Sequence, residues 1–150
     1  MGNTMLSVKE TGFLRSERVA RMATINQASK SPHIVPVCFA FDGKCIYTTL
    51  GASSRRLKNI KDGSKASVLI DRYEEENNEW KVLCGLLIYG SAKVLTYDEN
   101  KEEFMHGWKL LVQKYPQYTH WTNPDFTPND SNKRRIVKIR PSRIIRWGFG

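Results

Sequence analysis

Residues 32–50 read PHIVPVCFAFDGKCIYTTL, and this stretch decides the fold. Two runs rich in apolar and β-branched residues, His33–Phe41 and Lys44–Leu50, flank the pair Asp42-Gly43. Such runs are typical of strands. Asp-Gly between them favours a tight hairpin turn, because both residues tolerate the left-handed backbone that the turn requires. The stretch therefore predicts an antiparallel hairpin.

Outward from this hairpin, apolar periodicity predicts four more strands. They are Val19–Ile25, Lys65–Asp71, Trp80–Leu95 and Ile136–Trp147. Helices are predicted after a capping box at Ser7 and Glu10, over Ser54–Ile60, and from Asp98 to Pro116. Loops are predicted at Arg72–Glu79 and Gln117–Asn132. This order predicts one mainly β domain over residues 1–150, a six-stranded antiparallel split β-barrel with short helices in the connections.

The composition is that of a globular domain, with 40% hydrophobic and 26% charged residues in 150. No apolar run approaches the roughly 20 residues of a membrane-spanning helix. The segment Met1–Thr11 lacks the basic-then-apolar order of a signal peptide, so a cytoplasmic location is expected. Cys38, Cys45 and Cys84 lie among apolar residues without C-x-x-C spacing, which favours structural thiols and predicts no metal site.

The net charge of +9 predicts attraction to a nucleic acid, an anionic membrane surface or a phosphorylated ligand. The cations form two clusters along the chain. One comprises Arg55, Arg56, Lys58, Lys61 and Lys65, and the other comprises Lys133, Arg134, Arg135, Lys138, Arg140, Arg143 and Arg146. Aromatic residues are not interleaved with these clusters as a base-stacking surface would require, so nucleic acid binding is not favoured.

The segment Thr48–Lys58 is the candidate phosphate site. Hydroxyl groups precede the predicted short helix, whose N-terminal N–H groups suit an anion. Basic side chains in its first turns can add charge-assisted hydrogen bonds. The candidate residues are Tyr47, Thr48, Thr49, Ser53, Ser54, Arg55, Arg56 and Lys58. On residue types alone, a solvated basic helix explains the segment equally well.

Pro36 marks a second candidate feature. Proline cannot donate a hydrogen bond to a neighbouring strand, so the strand around it has an edge or a bulge there. A simple edge strand accounts for this proline. The functional alternative is that the backbone of Val35, Val37 and Cys38 is left free to bond the polar edge of a planar ligand.

Four short runs then follow one another along the chain: His33-Ile-Val-Pro-Val37, Ile46-Tyr-Thr-Thr49, Arg55-Arg-Leu-Lys-Asn-Ile60 and Ser67-Val-Leu-Ile-Asp-Arg-Tyr73. In these runs the chain resembles the pyridoxamine-phosphate-oxidase-like split-barrel family, and within it the branch of deazaflavin-dependent enzymes. The resemblance covers Arg15–Leu95 and the closing strand with Trp147. It implies a homodimer that binds FMN or the deazaflavin coenzyme F-420 at the dimer interface.

The resemblance also implies roles for individual residues. The backbone of Val35, Pro36, Val37 and Cys38 would face the cofactor ring. Tyr47 and Thr48 would lie beside the ribityl-phosphate arm, and Arg55, Arg56 and Lys58 would hold the phosphate. Asp71, Tyr73 and Trp147 would approach the cofactor less directly than these residues, from the other subunit. The Arg/His pattern that binds pyridoxal in the true oxidases is missing from the C-terminal Arg146–Gly150, so oxidation of pyridoxamine phosphate is not expected.

The expected activity is hydride transfer between the bound cofactor and a small conjugated substrate. No Ser/His/Asp set or paired carboxylates stand out in the sequence, so no catalytic acid or base is assigned. A carrier protein that holds the cofactor without turnover is the alternative.

Overall fold

The computed structural model describes residues 3–61, 63–116 and 134–150. In chain order its elements are α1 (Val8–Ser16), β1 (Ala20–Ile25), β2 (Pro32–Val37), β3 (Phe39–Phe41), β4 (Ile46–Gly51), a 3-10 helix (Arg55–Asn59), β5 (Ser64–Glu76), β6 (Glu79–Leu95), α2 (Lys101–Lys114) and β7 (Arg134–Trp147). The predicted loop Gln117–Asn132 lies outside the described residues. No helix in the described part is long and apolar enough to cross a membrane.

The strands form one antiparallel sheet in the order β2-β1-β5-β6-β7-β4-β3. This confirms the predicted mainly β, antiparallel architecture. The sheet has seven strands rather than six, because the predicted strand His33–Phe41 is divided at Cys38. Its first part, β2, pairs with β1 at one edge of the sheet, and its second part, β3, pairs with β4 at the other edge.

Cys38 alone links β2 to β3, although these two strands lie at opposite edges of the sheet. Consecutive Cα atoms are about 3.8 Å apart, so the Cα atoms of Val37 and Phe39 lie within about 8 Å of each other. The sheet must therefore curl until its two edges meet at Cys38. This geometry is the split barrel.

The junction is held by two hydroxyl groups. Tyr115 follows α2 and is fully buried. Its hydroxyl accepts a hydrogen bond from Phe39 N at 2.9 Å and lies 2.9 Å from Arg18 O and 2.8 Å from Phe39 O. A tyrosine hydroxyl has one hydrogen, so it donates to one of these two oxygens at a time. On the other side, Thr48 Oγ1 donates to Cys38 O at 2.7 Å.

The curled sheet encloses the larger of two apolar cores, which α1 closes with Phe13 and Leu14. The second core lies where α2 packs on β3, β4 and β7. Its buried residues include the predicted helix stripe of Phe104, Trp108 and Leu111. Because α2 covers this part of the sheet, side chains of β3, β4 and β7 that point outward are buried as well.

One local prediction differs from the structure, and another is confirmed. The predicted loop Arg72–Glu79 is instead the end of a long hairpin, because β5 and β6 continue to a two-residue turn at Asn77 and Asn78. Both turn residues have positive φ, 53° and 63°, a backbone that asparagine tolerates better than most residues. The capping box of Ser7 and Glu10 at the start of α1 is confirmed.

We expect Tyr115→Phe to destabilise the fold, because the buried Phe39 N–H would lose its hydrogen-bond partner. The free energy of unfolding should fall by about 1–3 kcal/mol, measured by urea denaturation. Tyr89→Phe is the matched control, since Tyr89 is 37% exposed and its hydroxyl bonds no described residue. Equal losses in the two variants would contradict the proposed role of the Tyr115 hydroxyl.

Candidate functional site

The predicted phosphate segment begins directly after β4. Ser53 is exposed, and Ser54 caps the following helix by accepting a hydrogen bond from Arg56 N at 3.3 Å. The structure has a five-residue 3-10 helix here instead of the predicted helix Ser54–Ile60. So short a helix aligns few peptide dipoles. The capacity of the segment to bind an anion therefore depends on its basic side chains rather than on its N-terminus.

The residues of this segment that point toward the barrel anchor it there. Leu57 and Ile60 pack against the inner core. Asn59 Nδ2 donates to Thr24 Oγ1 of β1 at 3.3 Å, and both residues are buried. The inward positions are thus apolar or hydrogen-bonded, which leaves the basic residues between them facing solvent.

These basic residues form a cluster at the end of β4. Arg55 and Lys58 are exposed and Arg56 is half-buried, and none of the three makes an ion pair with a described residue. The pairing of β4 with β7 brings Arg134 opposite Gly51 and Arg135 opposite Leu50. The sequence showed both basic clusters but did not place Arg134 and Arg135 at this site, because that placement requires the strand pairing.

Within the described residues β2 pairs with β1 alone, so the strand around Pro36 is an edge strand there. Pro36 and Ile34 are exposed on its outer side, whereas Val37 is buried and Val35 is partly buried against the core. The carbonyl of Cys38 already accepts the hydrogen bond from Thr48. A ligand at this edge therefore meets the outer side of β2 rather than the side chains of Val35 and Val37.

Register places Pro36 in a continuous row across the outer side of the sheet. Pro36 lies opposite Arg21, Arg21 opposite Leu69, Leu69 opposite Leu87, and Leu87 opposite Ile145. Residues paired in this way have side chains on the same face within contact distance. Four of the five side chains are apolar, so this row is a strip of apolar surface facing solvent.

The next row contains two further predicted site residues, Asp71 and Trp147, on either side of Gly85. A Cβ atom at Gly85 would collide with the Trp147 ring, so the absence of a side chain there lets the indole lie flat on β6. Asp71 forms an ion pair with Arg21 at 2.5 Å. The structure thus brings Pro36, Asp71 and Trp147 onto one face.

Tyr73 lies farther along the same face, on the projecting β5–β6 hairpin. It is opposite Leu83 and makes an edge-to-face contact with Trp80, with ring centroids 4.3 Å apart. Tyr73 and Trp80 are 50% and 64% exposed. Two large aromatic side chains therefore extend the apolar surface beyond the sheet.

Three further predicted site residues, Tyr47, Thr48 and Thr49, make contacts within the fold. Tyr47 is buried beneath α2, where its ring contacts His106 and its hydroxyl donates to Asp42 Oδ2 at 3.1 Å. Burial first, and then the nearby Asp42 carboxylate, raise the pKa of Tyr47 well above its usual value. Thr48 is buried at the Cys38 junction. Both side chains are buried, and the position of Tyr47 and Thr48 beside the ribityl-phosphate arm stays a prediction.

Thr49 is also engaged within the fold, since its hydroxyl donates to Arg135 O at 3.1 Å. Among the residues that the structure describes, no group of three or more His, Cys, Asp or Glu side chains converges in a way that could hold a metal ion.

The sequence model of the pyridoxamine 5'-phosphate oxidase family matches residues 9–148. The chain belongs to this family. Among curated proteins, none matches the sequence of this family member.

Solved structures share its fold. The conserved hypothetical protein Rv2991 from Mycobacterium tuberculosis is 23% identical with a TM-score of 0.71, covering 99% of this chain and 89% of its own. An FAD-binding protein from Mesorhizobium loti is 18% identical with a TM-score of 0.65, covering 93% and 92%. The FAD and heme binding protein from Mycobacterium smegmatis is 12% identical with a TM-score of 0.75, covering 98% and 73%. At these identities the similarity establishes the fold.

We expect Thr48→Val in this family member to lower the free energy of unfolding by about 1 kcal/mol, because Cys38 O loses its hydrogen bond. The control is Thr4→Val at an exposed position, where the change should stay within about 0.5 kcal/mol. Urea denaturation and titration with FMN are measured on both variants. Unchanged stability together with weakened FMN binding would show that Thr48 contacts the ligand instead.

Proposed function

We propose that this protein binds a flavin-type cofactor, FMN or the deazaflavin coenzyme F-420, and is an oxidoreductase. Its reaction is hydride transfer between the cofactor and a small conjugated substrate. The observation that carries the proposal is the cluster of basic side chains without ion-pair partners in the described residues, Arg55, Arg56 and Lys58, in a chain of this family. The cysteines form no disulfide, which is compatible with action in the reducing cytoplasm.

The basic cluster suits the phosphate end of such a cofactor. Arginine can bind a phosphate with two parallel hydrogen bonds, and lysine adds a point charge. Leu57 and Asn59 fix the backbone of the segment, so the basic side chains project from an anchored support. Arg134 and Arg135 add positive charge from the neighbouring strand.

The outer face of the sheet suits the ring end. Pro36 and the indole of Trp147 present flat apolar groups, and the carbonyl of Pro36 belongs to an edge strand. Aromatic and apolar contacts of this kind bind planar rings, and a few polar groups fix their orientation. A bound flavin would supply the hydride chemistry, and the protein would supply position and electrostatics.

A cofactor carrier without turnover is the second candidate. Arg21 and Asp71, the charged pair on the outer face, are bonded to each other, so neither is a free proton donor in this arrangement. Reoxidation of the reduced cofactor by an added conjugated substrate, faster than by buffer alone, would support the enzyme. A rate equal to that in buffer across a panel of such substrates would favour the carrier.

The identity of the cofactor is tested by the visible absorption spectrum of the compound released from purified protein, since FMN and the deazaflavin have different chromophores. FMN needs one phosphate site, which the basic cluster provides. The deazaflavin has a longer anionic tail, which the net charge of +9 favours. A preparation that binds neither compound would contradict the proposal.

We expect the double variant Arg55→Gln/Arg56→Gln to bind FMN at least about 10-fold more weakly, because it loses charge-assisted hydrogen bonds to the phosphate. Affinity is measured by quenching of flavin fluorescence. Riboflavin lacks the phosphate, so its affinity should stay the same. Lys109→Gln, at an exposed position of α2, is the control variant. An equal loss for FMN and riboflavin would place the phosphate elsewhere.

We also propose that the protein is a homodimer whose interface is formed by the outer face of the sheet. Ile34, Leu83 and Ile145 are 65%, 52% and 38% exposed, and they belong to one apolar surface with the Tyr73–Trp80 pair. Extended apolar patches on soluble proteins usually mark interaction sites. Phe149 does not belong to this apolar surface, because its ring packs against Phe13 of α1 at the barrel core.

Ile145→Lys should convert the dimer into a folded monomer, because it places a charge at the β7 end of the apolar row. Mass is measured by light scattering after gel filtration, and folding by circular dichroism. Val8→Lys is the matched control, since Val8 is 91% exposed on α1, away from this face, and it should remain dimeric. A wild-type monomer, or a dimeric Ile145→Lys variant, would exclude this interface.

A further inference from the structure

A second opening of the barrel lies at the other end of β4 from the basic cluster. β4 pairs with β7 only as far as Ile46 opposite Ile139, while β7 continues alongside β6. A gap therefore opens between the turn Asp42–Cys45 and the segment Arg140–Ile144. The N-terminal segment Thr4–Leu6 forms the third wall, and the gap is a cavity of about 500 Å³.

The cavity has an apolar floor and a basic rim. Its floor is formed by Phe41, Ile88 and Ile144, and its rim by Lys44, Lys138 and Arg140. A neighbouring cavity of about 340 Å³ shares Lys138 and Arg140 and adds Lys93. Cavities of this size, with an apolar lining and a few converging polar groups, are typical of small-molecule sites.

The carboxylates near this rim are already engaged. Asp42 accepts hydrogen bonds from Lys44 N at 2.8 Å, Cys45 N at 2.7 Å and Tyr47 Oη at 3.1 Å, and its other contact is His106 Nε2 at 2.9 Å. Burial of Asp42 opposes ionisation, but these hydrogen bonds outweigh it and hold its pKa below the usual value. Asp42 is therefore a structural anion that organises the turn.

Glu103 is the carboxylate partner of one rim cation, Lys138, at 2.8 Å, and of Lys93 in the neighbouring cavity, at 3.5 Å. Arg140 and Lys44 make no ion pair with any residue that the structure describes. The rim thus keeps two cations available for an anion from solution.

The position of Arg140 is built into the sheet. The register of β6 with β7 shifts at Tyr89 and Gly90, and Gly90 lies opposite Pro141. A Cβ atom at Gly90 would collide with the carbonyl of Arg140. The close contact at Gly90 therefore fixes the backbone from which the Arg140 side chain reaches the rim.

We propose that this cavity binds a small molecule with an aromatic or aliphatic body and one anionic group, a carboxylate or a phosphate monoester. The apolar body lies on the floor between Phe41 and Ile144, and the anion meets Arg140 and Lys44. The site is separate from the flavin site proposed above, since the six residues of β4 put about 20 Å between the two ends.

The test is NMR titration of the ¹⁵N-labelled full chain with 1-naphthyl phosphate, 1-naphthoate, neutral 1-naphthalenemethanol and inorganic phosphate. Both naphthyl anions should shift the amides of Lys44, Cys45, Arg140 and Ile144 saturably. The neutral alcohol and inorganic phosphate should each bind about 10-fold more weakly or worse, because each lacks one half of the recognition. Equal binding of the neutral alcohol would overturn the anion site.

The variant pair Arg140→Gln and Arg143→Gln makes this test specific. Arg140→Gln should weaken 1-naphthyl phosphate about 10-fold. Arg143→Gln, the same substitution three residues farther along β7 and outside the cavity, should not change it. Equal effects of the two substitutions would overturn the proposal.

A further titration in saturating FMN separates this site from the flavin site. The naphthyl-induced shifts of the cavity amides should persist in the presence of FMN. They should also be seen if the protein proves to bind no flavin. Shifts confined to residues 53–58, or abolished by FMN, would overturn the proposal and assign the naphthyl anions to the basic cluster at the far end of β4.

Discussion

The continuity of the chain through Cys38 constrains this sheet more than any single contact does. Strands lie about 4.8 Å apart, so the edges of a flat sheet of seven strands would be about 30 Å apart. One residue between β2 and β3 spans about 8 Å at most, and the sheet has to curl. The hydroxyl groups of Tyr115 and Thr48 then bond backbone groups of Phe39 and Cys38 at the junction. They stabilise the closure that the chain connection imposes.

This closure also decides which candidate residues a ligand can reach. Side chains that point inward, such as Val37 and Thr48, are buried in the barrel, and Tyr47 is buried again beneath α2. Among the described candidate residues, those on the outer face and those in the basic cluster after β4 remain accessible. The sequence could identify Tyr47 as part of a strand next to a basic segment. It could not show the burial of Tyr47, because the covering helix begins some fifty residues later in the chain.

Local sequence signals were sufficient where a residue and its structural partner lie within a few positions of each other along the chain. The capping box of Ser7 and the turn between β3 and β4 are of this kind, and both are present, although of Asp42 and Gly43 it is Gly43 that has a positive φ, 99°. The division at Cys38 has no local signal, since the apolar pattern runs through it unbroken and the cause is pairing at distant edges. The turn at Asn77-Asn78 was missed because its acidic neighbours look like a solvated loop, although paired asparagines also suit a tight hairpin turn.

The distribution of charge separates two interpretations of the net charge of +9. A nucleic-acid surface requires a continuous basic track along which the phosphate backbone can lie. In the described residues, the cluster at Arg55–Lys58 and the rim at Lys44 and Arg140 lie at opposite ends of β4. The apolar outer face of the sheet carries Arg21, which is already paired with Asp71. Two separate groups of cations, each beside an apolar surface, match small amphipathic anions better than a polyanion. The described cations therefore lie in separate groups and form no continuous basic track.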